Sequence, residues 1–316
     1  MRGNCLQYDY GGFMSELQFL TTRTAYLPGT NNLGVVVVGD GEAVAIDTGI
    51  DKDASRLLRR ACEAAKLQLV AAISTHHHAD HVGGNDYLVR NIKDFQVYAP
   101  RREAPFIEDP YLEPSYLAYG ASPIAPLRNK FVMATPSPVH VRLETTQATL
   151  TIGAVEFALV PMPGHSLAQI AVVVDGVCYA ADSFFGDAVL AKYGVPYAHD
   201  VNAQIASLMQ VGQLDVTHWI PGHGVLTGRD AIADTLAINQ QAIATSKALV
   251  TAVCGSGASL QQVVATVQRA LGVTSSAMAQ YAVFASGISA YLSALHADGV
   301  VTVDLGADGP MWRVVA

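Results

Sequence analysis

The sequence predicts an α/β protein built from packed layers of strands and helices. Three observations lead there. Short valine-rich apolar runs alternate with loops and helix-patterned stretches through most of the 316 residues. Apolar residues make up 51% and charged residues only 15%, against about a quarter charged in an average globular chain. Metal-capable side chains stand just past the ends of several apolar runs, where side chains leave a sheet and loops converge.

The elements follow in order. Residues 31–47, NNLGVVVVGDGEAVAID, set two valine-rich runs around Gly39-Asp40-Gly41, a hairpin signal. A helix is predicted over 53–65, with Leu57, Leu58 and Ala61 on one face. A strand over 67–74, a helix over 85–91 and a strand over 95–98 come next. The segment 100–138 holds eight of the fourteen prolines, with Tyr111, Tyr116 and Tyr119. No long regular element can run through it. It reads either as a lid or substrate loop or as an excursion covering a sheet edge. Strands are predicted over 149–155 and 157–161, and a hairpin over 168–174 and 176–181 turns at Asp175-Gly176. A helix over 201–211, a strand over 216–220 and a helix over 229–253 complete this part. From about Ser256, three short helices (259–271, 278–285 and 289–296) and a hairpin (300–304 with 311–315) form a winged-helix-like region. The division is therefore a main domain over 1–235 and a helical, winged-helix-like region over 236–316.

Charge narrows the function. Nineteen Lys and Arg against twenty-seven Asp and Glu give a net charge of −8, which opposes general nucleic-acid binding, since phosphate contacts need clustered cations. From Thr251 onward the basic residues are Arg269 and Arg313, against Asp298, Asp304 and Asp308. A packing or homodimerisation role suits that region better than DNA reading. The stretch 270–297 has no Asp, Glu, Lys or Arg, but Gln280, His296, two glycines and five serines disqualify it as a membrane span. Residues 1–20 contain Asp9 and Glu16 and no compact apolar run, unlike a signal peptide. The expectation is a soluble, cytoplasmic chain. Cys5, Cys62, Cys178 and Cys254 form no close pair, and Cys178 reads as a small core residue.

The chemistry concentrates in Thr75 to Gly84, THHHADHVGG. Imidazoles and a carboxylate converging after a strand make a metal site. In an extended loop His76 and His78 point the same way, and a turn at Ala79 directs Asp80 and His81 toward a second position. His77 should point away from the others, in a supporting role. Three more apolar runs end in Pro163-Gly164-His165, in Asp182 and in Pro221-Gly222-His223-Gly224, and an earlier one ends in Asp47-Thr48-Gly49.

Taken together, Asp47, the HxHxDH of His76, His78, Asp80 and His81, then His165, Asp182 and His223, resemble the metallo-β-lactamase superfamily over roughly residues 20–235. The resemblance implies a four-layer αβ/βα sandwich with the metals at one edge between two sheets. It implies a first metal on His76, His78 and His165, a second on Asp80, His81 and His223, and Asp182 bridging both, with Asp47 orienting the ligand loop. Two zinc ions are the expected cofactor, with iron or manganese as alternatives. The implied chemistry is attack by a metal-bridging hydroxide on a carbonyl or phosphoryl centre, with Asp80 orienting the nucleophile or passing on its proton.

Within the superfamily, Asp182 separates this chain from the β-lactamases proper, which generally lack that bridge. His78 separates it from oxygen-reducing di-iron relatives, which carry Glu there. The ligand set matches glyoxalase II-like thioesterases and lactonases, although the C-terminal region lacks the basic residues that hold glutathione in the former. The expected function is hydrolysis of a small ester, thioester or lactone. The alternatives are a single-strand endoribonuclease, whose domain order with a winged-helix-like tail is similar, a mononuclear-iron persulfide dioxygenase, and an inactive metal-binding scaffold. Tyr193, Tyr197 and His199 are candidates to line the pocket, with a tyrosine hydroxyl available to an oxyanion. Arg101, Arg102, Arg128 and Lys130 are candidates to meet an anionic substrate. Ordinary loop aromatics and solvated surface charges are the alternatives.

Overall fold

The fold is seen in a computed structural model that describes residues 16–307 and 309–315; Cys5, Asp9 and Asp308 lie outside these. A seven-stranded sheet runs in chain order: β1 (Gln18–Phe19), β2 (Thr24–Leu27), β3 (Leu33–Gly39), β4 (Glu42–Ile46), β5 (Gln68–Ile73), β6 (Gln96–Pro100) and β7 (Val141–Leu143). The first four strands pair antiparallel and the last four parallel. The second sheet holds β8 (Thr149–Ile152), β9 (Val155–Pro161), β10 (Ile170–Val174), β11 (Val177–Ala181), β12 (His218–Pro221) and β13 (Thr227–Gly228), antiparallel except for β11 beside β12.

Alternating side chains explain the layers. On β3, Leu33 and Val35 face one cluster and Val36 and Val38 another. The latter cluster lies between the sheets, where Val36, Val44 and Ile73 meet Leu159, Val172, Tyr179 and Ile220. Outside the first sheet, α1 (Lys52–Ala64) contributes Leu58, Ala61 and Cys62, joined by Leu88 of α3 (Asn85–Asn91). Between them stands the short α2 (Ala79–Val82). The expected four-layer sandwich is present.

Tyr179 ties the two sheets. Its hydroxyl donates toward the carbonyls of Ala25 (3.0 Å) and Val35 (3.1 Å) in the facing sheet, and burial pushes its pKa up. The ring lies on Gly34, where an added Cβ would stand 2.4 Å from Tyr179 Cδ1. Gly34→Ala is therefore expected to cost about 1–3 kcal/mol, the range for overpacking a core. The urea midpoint reads this directly, and an unchanged midpoint would contradict it.

The segment 100–138 carries α4 (Ala104–Glu108), α5 (Leu112–Leu117) and a 3₁₀ turn over Ala125–Leu127. Beyond β11 come α6 (Asp187–Tyr193), α7 (Val201–Gln213), α8 (Ile232–Cys254), α9 (Leu260–Leu271) and α10 (Met278–Ala297), then the hairpin β14 (Val301–Gly306) with β15 (Gly309–Val314). The Ser259 side chain and Gln262 form a reciprocal cap at the start of α9. The expected break between 285 and 289 is absent, because α10 runs through Ser286-Gly287. Ala285, Ile288, Tyr291 and Leu292 are buried along it, and a Cβ added at Gly287 would make ordinary contact with Tyr197 Cδ2 at 3.5 Å. Packing thus overrides the weak helix propensity of glycine. One apolar cluster joins Cys178 and Ala180 of the second sheet to residues of α7, α8, α9 and α10. Among the described residues no helix is long and apolar enough to cross a membrane.

Candidate metal centre

All seven residues expected as metal ligands converge at one edge between the sheets. Asp47 follows β4 with φ 60° and Ala181 precedes Asp182 with φ 48°. These left-handed residues cost of order 1–3 kcal/mol each, and they turn two carboxylates away from their strands. Asp47 Oδ1 accepts the Thr75 backbone N–H (2.8 Å), and Oδ2 accepts the Thr75 hydroxyl and His81 Nδ1 (both 2.8 Å). That leaves His81 Nε2 aimed at the centre. Thr75 Oγ1 also lies 3.1 Å from His76 Nδ1, leaving Nε2 of that ring inward.

Two triads result. His76 Nε2 stands 3.1 Å and His165 Nε2 2.9 Å from His78 Nδ1. Burial pushes the pKa of all three rings down, so they are neutral lone-pair donors. Asp80, His81 and His223 form the second group, with His223 Nε2 at 3.1 Å from Asp80 Oδ2 and His223 Nδ1 at 2.8 Å from the Thr30 carbonyl. Asp182 lies between the groups. Its Oδ2 is 3.2 Å from His165 Nε2 and 3.6 Å from His223 Nε2. Its Oδ1 is 3.4 Å from His81 Nε2 without a hydrogen bond between them.

Electrostatics support a cation here. Burial opposes ionisation of Asp182, but His223, His81 and His165 outweigh it and hold the carboxyl well below the usual range. Burial likewise opposes charge on His223, yet Asp182 and Asp80 bring it up to about 9. The acids therefore draw positive charge into this half, as protons or as metal ions. Asp182 Oδ1 is buried with no hydrogen-bond partner among the described residues. An orphaned carboxylate oxygen facing imidazole nitrogens fits a divalent ion.

Close approach explains the glycines beside the ligands. A Cβ on Gly222 would stand 2.2 Å from Asp182 Oδ1 and 2.8 Å from His81 Cε1. Gly164 has φ 130°, and its added Cβ would meet the Gln204 backbone nitrogen at 2.2 Å. Gly222→Ala is expected to weaken zinc affinity by about 10–100-fold, the scale for disturbing the support of metal ligands. Competition with a chromogenic chelator measures this, and wild-type affinity would contradict it.

A sequence model of the metallo-β-lactamase superfamily matches residues 27–223. This chain belongs to that superfamily. A β-lactamase domain protein from Burkholderia ambifaria superposes with a TM-score of 0.70 at 20% identity, covering 95% of this chain and 94% of its own. A metallo-β-lactamase family protein from Thermus thermophilus gives 0.68 at 18% identity, over 90% and 94%. These two likenesses concern the fold alone. Hydroxyacylglutathione hydrolases are also similar. The one from Xanthomonas campestris pv. campestris (strain B100) is 27% identical over 180 residues, 56% of this chain and 56% of that protein. The one from Methylobacillus flagellatus is 27% identical over 204 residues, 64% of this chain and 66% of that protein. The chain thus spans about half the length of the first and two thirds of the second.

Other groups in this superfamily member were not legible from its motifs. His77 does point away from the triads. Its Nδ1 bonds Glu103 Oε2, its Nε2 lies 3.1 Å from Glu113 Oε2, and its ring stacks on Phe106. Glu103, wholly buried, also accepts the Ser166 hydroxyl (2.9 Å) and the Ala168 N–H. It thus fastens the loop of His76 and His78 to the loop of His165. Asn31 donates toward Asp80 Oδ2 (3.3 Å). Tyr197 and His199 line a cleft beside the first triad, while Tyr193 is half exposed on α6. Arg101 pairs with Glu144 and Lys130 with Asp51, and none of the four basic candidates lines that cleft. Cys178 is buried as expected, with its thiol pushed up to about 12, which leaves it unreactive.

Proposed function

We propose that this protein is a cytoplasmic hydrolase of a small ester, thioester or lactone, using two zinc ions. His76, His78 and His165 would hold one ion, Asp80, His81 and His223 the other, and Asp182 both. The observation that carries this reading is the pair of triads flanking one buried carboxylate whose Oδ1 lacks a hydrogen-bond partner among the described residues. The kinship with hydroxyacylglutathione hydrolases favours an activated carboxylic derivative as substrate, a thioester first.

Bound zinc would supply an acidified water and a polarised substrate carbonyl. The protein's own groups do the rest. Asp80 is the most exposed of the acids, with 31% of its side chain accessible, and it is braced by His223 and Asn31. Burial opposes its ionisation, but His81 and His223 outweigh it, so Asp80 is a carboxylate that can orient the attacking water and accept its proton. As the C–O or C–S bond breaks, the same carboxyl returns that proton to the leaving group.

The test is a panel of p-nitrophenyl acetate, an acyl thioester, a γ-lactone, a phosphodiester and single-stranded RNA on zinc-reconstituted protein. Turnover of at least one carboxylic substrate is expected, reduced about 10²–10⁴-fold in Asp80→Ala, the range for removing a general acid or base. RNA cleavage without hydrolysis of any carboxylic substrate would overturn the reading.

A further inference from the structure

The turn between β2 and β3 reaches the centre without supplying a ligand. Thr30, Asn31 and Asn32 all act on the half built from Asp80, His81 and His223. The Thr30 carbonyl accepts from His223 Nδ1 at 2.8 Å, so that nitrogen carries a hydrogen and Nε2 is the one left to face an ion. Asn31 Nδ2 donates toward Asp80 Oδ2 at 3.3 Å and lies 3.4 Å from His81 Nε2. Asn32 is buried, and its Nδ2 donates to the carbonyls of Pro221 (2.9 Å) and Gly224 (2.8 Å), which bracket Gly222-His223 in the chain. Its backbone N–H donates to the Gly222 carbonyl at 2.9 Å, and its Oδ1 accepts the Gly29 N–H at 3.4 Å. A turn of the first sheet thus holds the loop that leaves β12 in the second. Among the described residues, none of these hydrogen bonds reaches His76, His78 or His165. That half is held from elsewhere, with Thr75 beside His76 Nδ1 and the Tyr197 carbonyl 3.3 Å from His165 Nδ1.

We propose that Asn32, assisted by Asn31, is a positioning residue for the second ion alone: it sets the affinity of the Asp80, His81 and His223 half and leaves the other half untouched. The assignment rests on the two-ion reading above and adds a division of labour within it. The loop 221–224 needs outside support, because Gly224 has φ 126°, a conformation that side-chain-bearing residues rarely adopt. Without the Asn32 amide, the carbonyls of Pro221 and Gly224 lose a buried donor and the loop gains freedom. A ligand loop that is ordered only when the ion binds lowers affinity by the entropy of that ordering. Asn31 acts on the other side, aiming the Asp80 carboxylate through a charge-assisted hydrogen bond. His81 is fixed independently by Asp47, so the second half is weakened and not abolished when the turn lets go.

Calorimetric zinc titration of the metal-free full chain in two backgrounds tests this. His165→Ala leaves the Asp80, His81 and His223 half intact, and His223→Ala leaves the His76, His78 and His165 half. In the His165→Ala background, Asn32→Leu is expected to weaken the remaining zinc Kd by about 10–100-fold, the scale for losing the support behind a metal ligand. In the His223→Ala background the same substitution is expected to leave the zinc Kd unchanged. Asn31→Ala covers the case in which Asn32→Leu does not fold, since Asn31 is only half-buried and its side chain bonds Asp80 and His81. It is expected to show the same selectivity with about a tenfold loss. Equal weakening in both backgrounds, or none in either, would overturn the assignment, and with two ions still bound by the wild-type chain the two-ion reading would stand. A wild-type chain that binds at most one ion would overturn both.

Discussion

Asp182→Asn is expected to lower kcat by roughly 10³-fold or more and to reduce bound zinc from about two per chain to one or none. The substitution keeps the shape of the side chain but removes the charge and puts an amide N–H₂ among imidazole nitrogens. Asp182 is almost fully buried, and its two oxygens face His81, His165 and His223. A metal contributes several kcal/mol of transition-state stabilisation, and each 1.36 kcal/mol is tenfold in rate, which sets the expected loss. Far-ultraviolet circular dichroism should stay unchanged, because the backbone N–H of residue 182 still donates to Gln169 Oε1. A variant that keeps two zinc ions and wild-type kcat would remove Asp182 from the centre.

Glu103→Gln is expected to destabilise the protein by about 3–5 kcal/mol, the cost of breaking a buried ion pair from one side. It should also weaken zinc binding, because Glu103 ties the His77 loop to Ser166 and Ala168. Burial opposes charge on His77, but Glu103 and then Glu113 outweigh it and bring the imidazolium up to about 10. A pKa raised by folding contributes stability that is complete below the unfolded value, 6.5, and is lost as pH rises through about 10. The stability difference between wild type and Glu103→Gln should therefore shrink across that alkaline window. Urea unfolding at a series of pH values measures it, and a gap that widens toward pH 10 would contradict the assignment of His77 as an imidazolium.

The sequence makes one class of residue readable and hides another. His165 and His223 declare themselves because each follows a glycine just past a strand, Asp182 because it is a lone acid directly after β11, and His76, His78, Asp80 and His81 because they crowd into six residues after β5. The hairpin at Asp40-Gly41 and the helix over Lys52–Ala64 are equally plain, since turn chemistry and apolar period agree there. Glu103, Glu113 and Asn31 act through partners 26, 36 and 49 positions away in the chain. Nothing local marks such residues. The one available hint was an unexplained His77 between two ligands, which had to find a partner if buried.

The segment 100–138 shows the same limit. Its prolines exclude long elements, and the structure holds only short helices there. Whether it is a lid or a cover was open from composition. Phe106, Glu113 and Tyr116 now place it at the cleft. At α10 the local reading failed outright, because Ser286-Gly287 has the look of a break while both flanks are held in the core. Tertiary packing decided that element.

The most direct test of the central claim is the zinc content of the reconstituted chain. Metal-free protein titrated with zinc and assayed by elemental analysis should bind about two ions per chain, the count a two-metal site requires. One ion or none per chain would contradict the paired-triad centre on which the proposed hydrolase rests.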